Sequence, residues 1–239
     1  MNNNVTQQIT AWLKEQLEQS TATGFVVGLS GGLDSAVCAA LLRRTTENCL
    51  GLILPIESDV RDLDDAAAAA SAVRITTEHI DLTATYRDLT RTLPQAGQLA
   101  LGNLKARLRM VVLYYYANLN NYLVCGTGNK TEISIGYFTK FGDGACDVLP
   151  IGDLYKTEVR ELARGLAIPE EIIKKVPTAG LWQDQTDEGE IGFPYCEIDK
   201  TLAALDAGRA EGPCAEHLRE MIAKNAHKRI LPKICAVKR

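Results

Sequence analysis

Short apolar runs alternate with amphipathic stretches along the first half of the chain. Gly24 to Leu29 reads Gly-Phe-Val-Val-Gly-Leu, too brief for a helix and followed at once by Ser-Gly-Gly. That pattern predicts a buried strand ending in a tight loop. From Asp34 to Arg44, Ala36, Val37, Ala40 and Leu41 recur at helical spacing. Asp34 falls near the positive end of the helix dipole and Arg43 and Arg44 near its negative end, as a stable helix prefers. Cys49 to Leu54 repeats the strand signal and is stopped by Pro55, and Asp62 to Val73, through the alanines Ala66–Ala70, repeats the helix signal. Ile75 to Leu82 supplies a third strand. A long amphipathic segment, Gln98 to Leu119, carries Leu101, Leu104, Leu108, Val112 and Tyr116 on one side, and Tyr122 to Cys125 gives a fourth strand before Gly126.

Strand, helix, strand, helix, strand is the order of an α/β protein with a doubly wound parallel sheet and flanking helices, in which ligands gather at the carboxyl ends of the strands. The loop at Ser30 lies at such an end. Further helices are expected over Lys156–Leu166, Pro169–Val176, Glu197–Ala207 and Pro213–Lys228, followed by an irregular basic end. Asp81–Gln95 and Ala179–Glu190 read as flexible flaps. No internal repeat and no long linker divides the chain, so residues 1–239 are expected to form one domain.

Composition changes this picture little. The 239 residues are 46% hydrophobic and 23% charged, which is globular rather than disordered, and the net charge of −4 argues against a protein that binds nucleic acid through bulk electrostatics. No apolar run approaches the ~20 residues of a membrane helix, and the polar start lacks the features of a signal peptide, so a cytoplasmic protein is expected. Seven scattered cysteines without a Cys-x-x-Cys pair suggest reduced thiols packed as small hydrophobes, and no structural zinc.

The loop Ser30-Gly31-Gly32-Leu33-Asp34-Ser35 carries the first specific chemistry. Unsatisfied N–H groups at a helix start, approached closely through glycines, cradle a phosphate, and the hydroxyls of Ser30 and Ser35 add donors. Asp34 would repel phosphates unless a cation lay between, so the string implies Mg²⁺. No lysine follows the glycines as a Walker loop requires, and Gly28, Gly31 and Gly32 do not fit Gly-x-Gly-x-x-Gly. The six residues instead resemble the pyrophosphate loop of the N-type ATP pyrophosphatases, which cleave ATP between its α and β phosphates to adenylylate a substrate.

Later strings narrow the resemblance. Gly126-Thr127-Gly128-Asn129-Lys130-Thr131-Glu132, then Gly136 to Gly144 and Asp147 to Thr157, are similar to the central signature of NAD synthetase. Gly102 to Met110, Pro177 to Trp182, Gln185 to Gly192 and His227-Lys228-Arg229 agree with it in order, so the resemblance spans almost the whole chain. It implies an adenine nucleotide alpha hydrolase-like, Rossmann-like fold and an ammonia-dependent ligase. The substrates implied are ATP, ammonia and nicotinic acid adenine dinucleotide, whose nicotinate carboxylate is adenylylated and then amidated. Carried over residue by residue, Asp34 and Glu132 would hold Mg²⁺, and Lys156 and Thr178 would contact phosphates opposite the Ser30–Ser35 loop. Asp143 would receive ammonium and help remove its proton. Lys140 and Asp147 would line the dinucleotide site, Arg107 and Thr127 the nucleotide pockets, and Leu54 the adenine site, while His227-Lys228-Arg229, otherwise a plain soluble tail, would form a lid over the phosphates. The resemblance further implies a homodimer. The chain has no room for the glutaminase domain of the family's long members, so free ammonia, or ammonia from a separate subunit, is the expected nitrogen source.

Read one at a time, the same residues allow plainer roles. Glu132 and Asp143 suit turn caps, Lys140 and Lys156 suit a solvated surface, and Asn103, Lys105, Arg107 and Arg109 suit the wet face of a helix. Tyr114, Tyr115 and Tyr116 suit packing in the core and at an interface. GMP synthetase and a non-catalytic nucleotide sensor share the first loop, but the sensor would not need Glu132, Asp143 and Lys156 together.

Overall fold

A computed structural model describes residues 2–182 and 185–237, with the side chains of Asn2 and Asn3 left aside. The chain opens with helix α1 (Asn2–Ser20), strand β1 (Gly24–Gly28), helix α2 (Leu33–Thr45), strand β2 (Cys49–Ile53), helix α3 (Val60–Val73) and strand β3 (Thr76–His79). Helices α4 (Thr83–Thr92) and α5 (Gln98–Asn120) then lead to strand β4 (Tyr122–Cys125). Seven further pieces are helical: α6 (Lys130–Ile135), α7 (Lys156–Gly165), α8 (Glu170–Lys174), α9 (Asp187–Ile191), α10 (Tyr195–Asp206), α11 (Pro213–Lys224) and a 3₁₀ turn at Ala226–Lys228.

All strand pairs are parallel, in the order β3-β2-β1-β4. The direction in which strands are added to the sheet therefore reverses between β1 and β4, and the crevice outside that switch point is where such sheets bind ligands. Side chains alternate across the pleat. Phe25 and Val27 face one core, shared with Leu13 of α1, Leu41 of α2 and Val159 of α7. Val26, Leu52 and Val124 face the other, shared with Tyr86 of α4 and Ala117 of α5. A third cluster, Ile135, Ile191, Tyr195, Ile198 and Leu218, joins the C-terminal helices.

One expectation is corrected, one helix was not expected, and one segment is described in part. Helix α1 was not foreseen, although Val5, Ile9, Leu13 and Leu17 recur every four residues and pack onto the core beside α2 and α7. Asp81–Gln95 is largely the helix α4 rather than a flap. Tyr86 is buried there, Lys105 lies over its ring, and Arg87 pairs with Glu57 at 3.0 Å. The segment Ala179–Glu190 contains the start of α9, and its residues 183 and 184 lie outside the described residues. Cys38, Cys49, Cys125 and Cys214 are buried free thiols, as expected for small hydrophobes. Among the described residues no helix is long and apolar enough to cross a membrane.

Candidate active site

A cleft of about 620 Å³ opens beyond the carboxyl ends of β1, β2 and β4, bounded by α5, α7 and the segment after α8. Its floor is the Ser30 loop. Ser35 Oγ donates to the Gly32 carbonyl at 3.0 Å, and it accepts from Ser30 N at 3.3 Å, so the two serines brace the turn from within. Gly31 takes φ +74°, and a Cβ there would meet Ala66 N at 2.7 Å and Asp65 Cβ at 2.7 Å. The loop thus lies directly on α3. Ser30, Gly32, Leu33, Asp34 and Ser35 line the cleft, whereas Gly31 faces the helix behind.

Asp34, in the first turn of α2, meets Glu132 and Lys156 in the depth of the cleft. Lys156 Nζ donates to both carboxylates, to Asp34 at very close range and to Glu132 Oε1 at 3.4 Å. The lysine is buried and sits 5.2 Å above the Tyr195 ring. Burial opposes its charge, but the two carboxylates outweigh that and hold it above the ordinary lysine value. Burial pushes the Glu132 carboxyl up, to about 8, despite the Lys156 charge.

Each of the three is placed by local chemistry. Asn129 and Glu132 form a capping box at the start of α6, with Asn129 accepting from Glu132 N at 3.0 Å and Glu132 Oε2 from Asn129 N at 3.3 Å. The second oxygen of Glu132 is left for Lys156, so cap and cleft acid are the same residue. Lys156 begins α7, where its N–H donates to Thr131 Oγ1 at 3.0 Å. Thr131 donates in turn to Asp199 at 2.5 Å, and Asp199 also accepts from Thr157 N at 2.9 Å. A buried carboxylate at a helix N-terminus satisfies orphan N–H groups and suits the dipole. Asp187 lies nearby, receives Tyr195 OH at 3.1 Å and Tyr137 OH at 3.3 Å, and is raised above the usual carboxylate range by burial.

Across the cleft, Asp143 Oδ1 accepts from Thr139 N at 2.9 Å. It opens onto the cavity with protein packed behind it. Its side chain is exposed to the cleft, yet the protein crowded around it raises its carboxyl, against the Thr139 bonds and the Lys228 charge. Lys228 reaches the same wall and donates to the Gly136 and Phe138 carbonyls, both at 2.8 Å. Leu54, Thr127 and Thr178 also line the cleft.

The remaining expected residues gather elsewhere. Arg107 donates to the Lys140 carbonyl at 3.2 Å, and Lys140 donates to the carbonyls of His227 and, at 3.3 Å, Ile230. These three form an exposed basic cluster beside the cleft rather than part of its lining. Asp147 accepts from Val124 N at 2.7 Å and Tyr114 OH at 3.2 Å, a bond pattern that holds residues 145–148 to the edge of β4. Asn129, Thr131, Asp187 and Asp199 were not singled out from the sequence. The Asn129-x-x-Glu132 spacing was a readable cap signal. The contact of Thr131 with Asp199, 68 positions later, had no local sign.

A chain whose phosphate loop faces a lysine held between two acids, with a third acid across the cleft, matches known proteins along nearly its full length. The sequence pattern of the family described as NAD synthase fits residues 5–232. The chain belongs to the NAD synthase family. It is 46% identical over 235 residues to the NH(3)-dependent NAD(+) synthetase of Carboxydothermus hydrogenoformans, covering 96% of both chains. Its fold matches an NMN synthetase from Francisella tularensis with a TM-score of 0.92, at 38% identity and 99% coverage of both chains. An NH3-dependent NAD synthetase from Campylobacter jejuni, solved with nitrate, matches with a TM-score of 0.87 at 34% identity, covering 99% of this chain and all of that one.

Proposed function

We propose that the chain joins ammonia to the nicotinate carboxylate of nicotinic acid adenine dinucleotide at the expense of ATP, releasing NAD, AMP and pyrophosphate. The observation that carries this reading is the meeting of Asp34, Glu132 and Lys156 beneath the Ser30 loop, with Asp143 facing them.

A carboxylate resists attack because it is charged and lacks a leaving group. Its oxygen attacks the α-phosphorus of ATP; the bond to the bridging oxygen breaks, and pyrophosphate departs with that electron pair. The backbone N–H groups of Ser30 to Ser35 receive the departing phosphates, with Lys156 reaching them from the depth of the cleft beside Asp34 and Thr178 from the segment after α8. Asp34 and Glu132 offer hard oxygen donors on either side of one position and would hold Mg²⁺ there. When bound, Mg²⁺ supplies charge neutralisation on the phosphates. Lys156 marks that position with its own charge.

In the second half, ammonia attacks the acyl carbon, Asp143 accepts a proton from the nitrogen, and AMP leaves with the electrons of the broken C–O bond. The basic cluster of Arg107, Lys140 and His227 suits the phosphates and ribose of the dinucleotide, with Lys228 bridging from it to the cleft. Leu54 suits the adenine of ATP. A homodimer fits the outer face of α5, where Val111, Tyr115 and Leu119 are 57%, 64% and 65% exposed in an apolar stripe. The buried free thiols fit a reducing cytoplasm.

The likeness to the Francisella NMN synthetase favours a second reading, in which nicotinic acid mononucleotide is the acceptor. The reacting carboxylate is the same; the acceptors differ only in the adenylate half. Incubating the protein with ATP, Mg²⁺ and ammonium plus either acceptor, and measuring NAD, NMN, AMP and pyrophosphate, separates the two. Absence of pyrophosphate with both acceptors would defeat the ligase reading.

A further inference from the structure

Helix α5 turns a largely apolar face to the cleft, with Leu99, Ala106, Met110 and Leu113 along it. Arg109 stands on that face. Its Nε donates to the Leu54 carbonyl at 3.0 Å, just past the end of β2, which fixes the plane of the guanidinium. Its two terminal nitrogens have no hydrogen bond to a protein group among the described residues. They retain contact with the cleft, because every fully buried side-chain nitrogen and oxygen among those residues is bonded.

Three other cations of the cleft are committed to protein groups, whereas Arg160 and Lys224, which also line it, have no side-chain hydrogen bond or ion pair among the described residues. Lys156 is held by Asp34 and Glu132, Lys175 by Asp62 at 3.1 Å and Asp65 at 2.6 Å, and Lys228 by two carbonyls. Arg109 is in reach of the fields of Asp143 and Asp62, yet no carboxylate of the described residues lies within 4 Å of it. Burial makes its charge costly. A poorly hydrated guanidinium with two open donors calls for an anion, and its planar fork matches phosphoryl oxygens in particular.

Position says which phosphoryl. Arg109 is tied to Leu54, where the nucleoside of ATP fits, and shares the cleft wall with Asp143, where ammonia is received. The atom that joins nucleoside to acyl group in the intermediate is the α-phosphorus. We propose that Arg109 grips the α-phosphoryl group of ATP, and the same group in the acyl-adenylate and in AMP. The inference rests on the nucleotide reading of the cleft given above. The guanidinium then neutralises charge on the group attacked in the first half-reaction and on the group that leaves in the second.

The test compares AMP with adenosine, which differ only in that phosphoryl group, by calorimetric titration of wild-type protein, Arg109→Met and Arg109→Lys. Wild-type protein is expected to bind AMP more tightly than adenosine. In Arg109→Met, AMP should weaken about tenfold and adenosine less than twofold, the loss of one charge-assisted contact. Arg109→Lys keeps a donor for Leu54 but not the fork, and should lose at least threefold of the AMP preference. Parallel weakening of both ligands would make Arg109 a prop for Leu54 alone and overturn the proposal, as would an unchanged preference in either variant. Wild-type protein that bound neither ligand would instead refute the nucleotide reading itself.

Discussion

Replacing Gly31 or Gly32 by alanine separates how the phosphate loop is held from what it holds. Gly31 has φ +74°, and its added methyl would press on Ala66 N at 2.7 Å, Asp65 Cβ at 2.7 Å and Asp65 C at 2.9 Å. Two of those atoms are backbone of α3 and the third is the first side-chain carbon of Asp65, none of them able to move aside, because α3 is fixed by the burial of Ala66, Ala69 and Ala70. The left-handed conformation costs an alanine about 1–2 kcal/mol, and overpacking against an unyielding neighbour adds about 1–3. Gly31→Ala is therefore expected to lose about 2–5 kcal/mol. Gly32 has φ −89°, and its methyl would meet only the Ser30 hydroxyl, at 3.2 Å. Its stability cost is the poorer helix cap, about 0.5–1 kcal/mol. That methyl points into the space of the phosphates, however, so Gly32→Ala should abolish tight ATP binding while folding almost normally. Urea unfolding gives the two stabilities, and calorimetry with ATP and Mg²⁺ gives the binding. Equal destabilisation of the two variants, or normal ATP affinity in Gly32→Ala, would refute this account of the loop.

Three other outcomes follow from the geometry. Glu132→Gln keeps the capping box but cannot titrate. A carboxyl raised from 4.5 to about 8 contributes its stability fully below pH 4.5 and loses it as pH climbs towards 8. In a chelator and without nucleotide, the stability gap in favour of the glutamine variant should widen by about 3 kcal/mol between pH 4.5 and 7; a gap that stays flat or narrows would show Glu132 already ionised. Asp199→Ala strands Thr131 and the start of α7, a loss of about 2–4 kcal/mol, so thermal melting should drop by roughly 5–10 °C and pyrophosphate release should fall with it. An unchanged melting point and rate would remove Asp199 from the support of Lys156. Tyr115→Glu places a charge in the exposed stripe of α5 and should give a monomer by light scattering if the proposed dimer pairs through that stripe; a dimer that persists in the variant would move the interface elsewhere.

The parallel sheet was legible because buried strands are short apolar runs with sharp ends. Phe25, Val26 and Val27 before Ser30 needed no tertiary information to be read. Helix α1 was equally legible in principle through Val5, Ile9, Leu13 and Leu17, but its polar surroundings hide a stripe only one residue wide. Helix α4 was not. Its sequence is polar, and it is held by Lys105 and Glu57, partners supplied by folding. The candidate site divides in the same way. Asp34, Glu132 and Lys156 belong to strings that can be matched, yet the fact that a single lysine lies between both acids depends on three segments meeting. The two readings of Glu132, turn cap or acid of the site, turn out to be compatible, since each uses a different oxygen.

The placement of Lys156 between Asp34 and Glu132 also bears on how the protein lives between turnovers. Two acids side by side in a cleft repel each other when both are ionised. Here Lys156 supplies a positive charge that is part of the polypeptide, and burial keeps Glu132 protonated over much of the neutral range. The chain can reach its folded form during synthesis without waiting for a scarce ion, unlike small domains that stay unfolded until loaded. A cell short of divalent ions then still keeps a folded protein in reserve.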